Sequence, residues 1–161
     1  MLRLSTKSQY GVRAMFEIAH CYHSGPVTIK EISEKQSVSV AFLEQILNTL
    51  RKAGLIKSVK GPGGGYVLNK TPDNISIGAI LRELDGPVAI TSCLDPKEGC
   101  MRIDGCVTHL LWKSLGEKIE AFLDNMTLQD LIEGQQPVVI GGSGGKKTKL
   151  DRQERLIKAA L

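Results

Sequence analysis

The chain has 161 residues, 42% of them hydrophobic, and a formal charge of +4, which suits one ordinary domain, or a small domain with an added dimerisation element, and excludes disorder throughout. No apolar run approaches the roughly 18 residues needed to cross a bilayer, and residues 1–13 lack the apolar core of a signal peptide, so a cytoplasmic protein without membrane association is expected. The charge is uneven: residues 1–70 carry ten Lys/Arg against four Asp/Glu, residues 71–161 eleven against thirteen, and a basic front end is the footprint expected for contact with phosphates or another acidic partner.

Val12, Met15, Phe16, Ile18, Ala19 and Tyr22 recur at helical spacing, which predicts a first helix over residues 7–22, stopped by Gly25-Pro26. Thr28 followed by Glu31 has the form of a capping box and predicts a short second helix ending near Lys35. Ser37 or Ser39 can cap a third helix, whose Val40, Leu43, Ile46, Leu47 and Leu50 make one apolar stripe before Gly54 ends it. Its opposite face carries Ala41, Phe42, Glu44, Gln45, Asn48 and Arg51, a mixed face that is ordinary for any surface helix. Residues 55–60 and 66–70 read as two strands around Gly61-Pro62-Gly63-Gly64-Gly65.

Three helices and a hairpin describe a winged helix-turn-helix, mainly α with a small β-wing. Lys57, Lys60 and Lys70 flank the wing, whose glycines let backbone amides approach phosphates closely. A fourth helix is predicted from Ser76, with Ile77, Ile80, Leu81 and Leu84 on one face and Gly86-Pro87 as its stop. Residues 88–105 then read as a loop.

From about residue 105 to 125 a long helix is expected, with Val107, Leu110, Leu111, Leu115, Ile119, Phe122, Leu123 and Met126 forming a stripe wider than a thin seam. About 30 Å of helix exceeds what a small winged-helix domain needs for its own core, so a second subunit is the expected partner. Thr127 and Asp130 can cap one more short helix ending at Gly134, and residues 135–161 read as a linker-like, basic tail to which no function is assigned. The organisation expected is therefore 1–72 winged helix-turn-helix, 73–87 connecting helix, 88–109 ligand-bearing loop, 105–134 dimerisation helix with a short following helix, and 135–161 flexible tail.

Cys93, Cys100, Cys106 and His109 are spaced x6, x5 and x2. Thiolates with an imidazole suit an iron-sulfur cluster or zinc. Structural zinc sites usually begin with two ligands two to four residues apart, and these wider gaps fit a larger object better. Free thiols and a catalytic Cys106–His109 pair remain as alternatives, the latter without any third group to orient it. Cys106 and His109 share one face at the start of the long helix, where Asp104 is placed to cap and the helix dipole favours a thiolate. Cys21, beside Ala19 and Tyr22, reads as core, and Trp112 as packing or interface.

Phe42-Leu43-Glu44-Gln45-Ile46-Leu47, Leu50-Arg51-Lys52-Ala53-Gly54-Leu55, Lys60-Gly61-Pro62-Gly63-Gly64-Gly65-Tyr66 and Cys106-Val107-Thr108-His109-Leu110-Leu111-Trp112 together resemble the IscR-like, Rrf-type family of winged-helix transcriptional regulators, over residues 4–133. The resemblance implies a homodimer with crossing long helices, bound to a pseudo-palindromic double-stranded operator. It implies one 2Fe-2S cluster per subunit on Cys93, Cys100, Cys106 and His109, reporting iron-sulfur supply, iron or redox and nitrosative stress. It places Ala41, Phe42 and Glu44 at the groove, Lys60, Gly61 and Pro62 at the wing, and Ser39 and Gln45 near phosphates or bases. An acidic residue at position 44 would tune site choice with the cluster state, because an anion at the groove repels DNA unless a base donates to it. The Cys93–Cys100 gap is one residue longer than the family pattern, which keeps 4Fe-4S as the alternative cluster. The competing functions are a zinc-stabilised or metal-free winged-helix repressor and an iron-sulfur carrier protein; no enzymatic activity is expected.

Overall fold

In a computed structural model the described residues are 4–87, 90–91, 94 and 106–134. The tail over 135–161 and most of the expected loop over 88–105, including Cys93, Cys100 and Asp104, lie outside them. The order of elements is α1 (Thr6–His20), α2 (Ile29–Gln36), α3 (Val40–Lys52), β1 (Ile56–Val59), β2 (Gly65–Leu68), a single 3₁₀ turn (Pro72–Asn74), α4 (Ile77–Asp85), α5 (Val107–Asn125) and α6 (Leu128–Ile132). This is the winged helix-turn-helix with a long following helix that the spacing predicts. Among the described residues no helix is long and apolar enough to cross a membrane.

Local chemistry sets most boundaries. Ser5 caps α1, its hydroxyl accepting from the Ser8 amide at 3.0 Å. The helix ends two residues earlier than the periodicity predicts, because Cys21 takes the C-cap and Gly25, at φ 116°, turns the chain away. Tyr22 therefore lies outside the helix and is exposed, while Cys21 packs half-buried against the core as expected. The Thr28–Glu31 box is formed in full, with the Thr28 amide donating to the Glu31 carboxylate at 2.7 Å and the Thr28 hydroxyl accepting from the Glu31 amide at 3.2 Å. Of the two candidate caps for α3, Ser39 does the work and Ser37 ends α2 instead, in the left-handed region at φ 53°. That uncommon backbone for a residue with a Cβ is held by the Ser33 hydroxyl donating to the Val38 carbonyl at 2.6 Å.

On α3, Leu43, Ile46, Leu47 and Leu50 are fully buried, but Val40 is 38% exposed. The stripe runs off the edge of the core at the helix's first residue. β1 and β2 pair antiparallel from Ile56↔Leu68 to Val59↔Gly65. Their turn has Pro62 second and Gly63 third, at φ 73°, closed by the Gly64 amide donating to the Gly61 carbonyl at 2.9 Å, the requirements of a type II turn. Val27 exchanges two backbone hydrogen bonds with Tyr66 and so ties the wing to the start of α2.

The core is one cluster drawn from α1 to α4, the wing strands and α6, with Met15, Ile32, Ile46, Leu47, Ile80 and Leu128 fully buried. Each such side chain stabilises by about 1.5–3 kcal/mol relative to exposure. α1 and α4 cross at Gly11, where a Cβ would collide with the Leu84 side chain. α5 is anchored at its far end: Arg82 of α4 grips Asp124 through two guanidinium nitrogens, at 3.0 and 2.6 Å. The Ile77 amide donates to the Met126 carbonyl and the Leu128 amide to the Ile75 carbonyl, while a second capping box, Thr127 with Asp130, opens α6.

Candidate nucleic-acid interface and ligand residues

The outer face of α3 presents Ser39, Ala41, Glu44, Gln45, Asn48 and Arg51 to solvent. Phe42 differs from its neighbours. It is half-buried, its ring edge-on to Tyr10 of α1 at 5.9 Å, so it joins α1 to α3 as well as bordering the exposed face. Arg13 stacks over the same Tyr10 ring at 5.3 Å, a cation that the linear motifs do not single out. Its only signal is the i, i+3 spacing from Tyr10. The Ser39 hydroxyl accepts from the Phe42 amide at 3.3 Å, which leaves its own proton to donate. Arg51 donates to the Asn48 side-chain carbonyl at 3.2 Å, one helical turn away.

On the wing Lys57, Ser58, Val59, Lys60, Gly61, Pro62 and Gly63 are exposed. Gly64 is partly covered, and a Cβ there would strike the Val59 carbonyl oxygen, so the turn needs glycine for backbone clearance. Among the described residues Lys57, Lys60 and Lys70 take part in no ion pair. Lys35 by contrast is bound at 3.0 Å to Glu17, a buried carboxylate that also accepts from Gln36. The basic front end thus keeps its wing cations available while Lys35, itself exposed, holds the buried Glu17 carboxylate.

At the start of α5, Cys106 is itself the N-cap residue, without a side-chain capping bond, so the helix begins at Val107; Asp104 lies outside the described residues. The Cys106 Sγ lies 3.1 Å from the Thr108 hydroxyl. That hydroxyl, and then the His109 amide, pull the Cys106 thiol below its ordinary pKa, with burial opposing them. The thiolate is favoured by these local donors, and Thr108, inside the quoted motif but not chosen from it, supplies the larger part.

His109, three residues on, has its Nδ1 buried without a hydrogen-bond partner among the described residues. Such an atom costs roughly 1–3 kcal/mol unless something occupies it. A soft metal ion is suited to both donors, the thiolate sulfur and the imidazole lone pair. Among the described residues no group of three or more Cys, His, Asp and Glu stands together to hold a metal ion. Two of the four expected ligands, Cys93 and Cys100, lie outside those residues.

The wide apolar stripe of α5 proves to be two faces. Gly116 is its one buried residue; Trp112, Ile119 and Leu123, at helical spacing around it, are half-buried toward the rest of the chain. Val107 at 81%, Leu110 at 68% and Leu111 at 58% are exposed, as are Leu115 and Phe122.

Comparison with known proteins sets these surfaces in context. A family profile described as Rrf2, iron-dependent transcriptional regulator, matches residues 4–134. The chain is 45% identical over 139 residues to the HTH-type transcriptional regulator IscR of Erwinia tasmaniensis, covering 86% of this chain and 84% of that one. It is 43% identical to the IscR of Serratia proteamaculans over 148 residues, 92% and 90% of the two chains. Among solved structures, T. potens IscR superposes with a TM-score of 0.70 at 38% identity, covering 88% of this chain and 94% of that one. The global cysteine regulator CymR of B. subtilis superposes at 0.74 with 35% identity, covering 84% and 100%.

Proposed function

The chain belongs to the Rrf2 family of transcriptional regulators, and from that premise we propose a homodimeric DNA-binding repressor whose affinity or choice of operator depends on a 2Fe-2S cluster held by Cys93, Cys100, Cys106 and His109. The observation that carries the cluster assignment is the buried Nδ1 of His109, which has no partner among the described residues and lies one helical turn from a thiol already biased toward thiolate. The exposed outer face of α3 and the available wing lysines support contact with double-stranded DNA. The exposed apolar face of α5 supports a second copy as its cover.

When bound, the cluster supplies iron that takes up the imidazole and thiolate donors, and an occupancy that varies with iron-sulfur supply or oxidative attack. The remaining work belongs to the chain. Cys106 and His109 fix the first turn of α5, and Arg82 with Asp124 clamps its last turn to α4. α4 in turn packs on α1 and α3. A change in the setting of α5 therefore has a continuous packed route to the recognition helix. Two subunits joined through α5 would convert it into a change in the spacing or tilt of two α3 helices, which must match half-sites about one turn of DNA apart.

The test is an anaerobic absorption spectrum with iron and sulfide analysis, on wild type and on a Cys93/Cys100/Cys106 triple alanine variant. Visible bands with about two irons and two sulfides per chain, absent from the variant, are expected. Protein that stays colourless after reconstitution, with or without zinc, overturns the cluster assignment. Operator affinities of the loaded and cluster-free forms should then differ by about 1–3 kcal/mol, the usual size of coupling between linked sites. Equal affinities for every operator overturn the regulatory link.

A further inference from the structure

Val40 is the first residue of α3 and is 38% exposed. Val38 and Phe42 on either side of it pack against the core cluster, of which Val40 is no part. Most of the other exposed large apolar side chains lie on α5, whereas Val40 stands at the N-terminal end of the outer face of α3. Glu44 is one turn further along the same side of the helix, and Ala41, Gln45 and Asn48 continue the exposed surface beside it. The apolar spot is also rigid. The Ser39 hydroxyl, accepting from the Phe42 amide, pins the first turn, and β-branching leaves the valine little rotamer freedom to lose on contact.

A recognition helix enters the major groove with its N-terminal residues at the base edges. Phosphates and the hydrogen-bonding groups of the bases are polar, and the apolar group displayed in that groove is the C5-methyl of thymine. We propose that Val40 is a specificity-determining residue whose exposed side chain packs on a thymine methyl in each operator half-site, beside the base that faces Glu44. The proposal rests on the reading of the outer face of α3 as the DNA-facing surface and is independent of the cluster assignment. Valine and methyl both leave water when they meet, and no hydrogen bond is exchanged. Burial of one methyl-sized group favours thymine over the same base without its methyl by about fourfold.

The experiment compares full-length wild type with Val40→Ala and Val40→Ile. Duplexes preferred by wild type are selected from a randomised synthetic library, with reconstituted and cluster-free protein alike, so that failure of the cluster assignment does not remove the test. Each thymine of a selected duplex is then replaced in turn by deoxyuracil, which removes the methyl and keeps every hydrogen-bonding group. Wild type should lose about fourfold in affinity at one thymine in each half-site. Val40→Ala should bind the thymine and deoxyuracil forms alike at that position, and Val40→Ile should keep the difference. Added salt should weaken both forms together and leave their ratio, because the methyl contact releases no counterion. The ratio also cancels any loss of folded protein in a variant, so a purely structural role for Val40 leaves it unchanged. Equal wild-type affinities at every thymine, or a methyl effect that survives in Val40→Ala, overturn the proposal. Absence of any sequence-preferring duplex binding overturns the reading of α3 together with it.

Discussion

The helix α3 and the helix α5 are both amphipathic, yet they stand in opposite relations to the chain. α3 has Leu43, Ile46, Leu47 and Leu50 wholly enclosed by its own subunit, and its outer face is polar apart from Val40, Ala41 and Phe42. α5 is half as long again but encloses only Gly116, and it exposes five large apolar side chains. The first is satisfied within one chain, so its free face is available for a polar ligand. The second has one face against its own subunit and another suited to a second copy. One helix therefore buries its apolar face within the chain, and the other leaves most of its apolar face exposed.

Core substitutions should separate the two most sharply. Leu47→Ala, which empties a fully buried site on α3, is expected to destabilise by about 2–5 kcal/mol in thermal or urea unfolding. Leu111→Ala, at an exposed site on α5, should change the unfolding of the isolated subunit by less than about 0.5 kcal/mol. Equal losses at the two sites, at a concentration where the protein is monomeric, would erase the contrast. Next in size is Leu111→Asp, which puts a charge in the centre of the exposed stripe. By sedimentation it should weaken self-association at least tenfold, about 1.4 kcal/mol, while leaving the helix-turn-helix folded. A dimer of unchanged strength would mean that a different surface joins the subunits.

The helix-turn-helix half was largely legible from sequence because its signals are local. Thr28 and Glu31 sit in cap register, Gly54 ends α3, and the Pro62-Gly63 pair dictates its turn. Where the periodicity misled, the cause lay in tertiary position. Val40 follows the stripe but lies past the rim of the core, and Tyr22 follows it past the end of the helix. Ser37 and Ser39 look equivalent as caps, and only the left-handed turn at Ser37 separates them. At the start of α5, spacing put Cys106 and His109 on one face, while Cys106's own place as N-cap was not legible. Thr108 as the thiol's partner was illegible. The double face of α5 was visible only as excess width.

A smaller effect isolates the imidazole. In cluster-free protein His109→Leu removes a buried nitrogen that has no partner among the described residues and fills the space with carbon, so it should be neutral or stabilising by about 1 kcal/mol. In the reconstituted protein the same change removes a proposed ligand and should shorten the life of the cluster. A large loss of stability in the cluster-free variant would show instead that the ring is held by a contact essential to the fold. With both outcomes the two halves would differ in kind: a core position of α3 has one optimum, whereas position 109 would have different optima with and without the proposed ligand.

The smallest effect is expected at the α2 cap, where the helix-turn-helix half can be probed by proton alone. The Thr28 amide, and after it the Thr28 hydroxyl, donate to the Glu31 carboxylate and hold its pKa below the ordinary value. The folded state therefore prefers the ionised form. Its contribution to stability is complete above the unfolded pKa, near 4.3, and is lost as the pH falls through the lower folded value. The urea midpoint of cluster-free protein should fall over that interval in wild type. Glu31→Gln keeps an acceptor for the Thr28 amide but has no proton to gain, so this share of the fall should vanish. An identical acid profile in the two proteins would mean that the cap is held by its hydrogen-bond geometry without help from charge, and that the pH sensitivity of this half arises elsewhere.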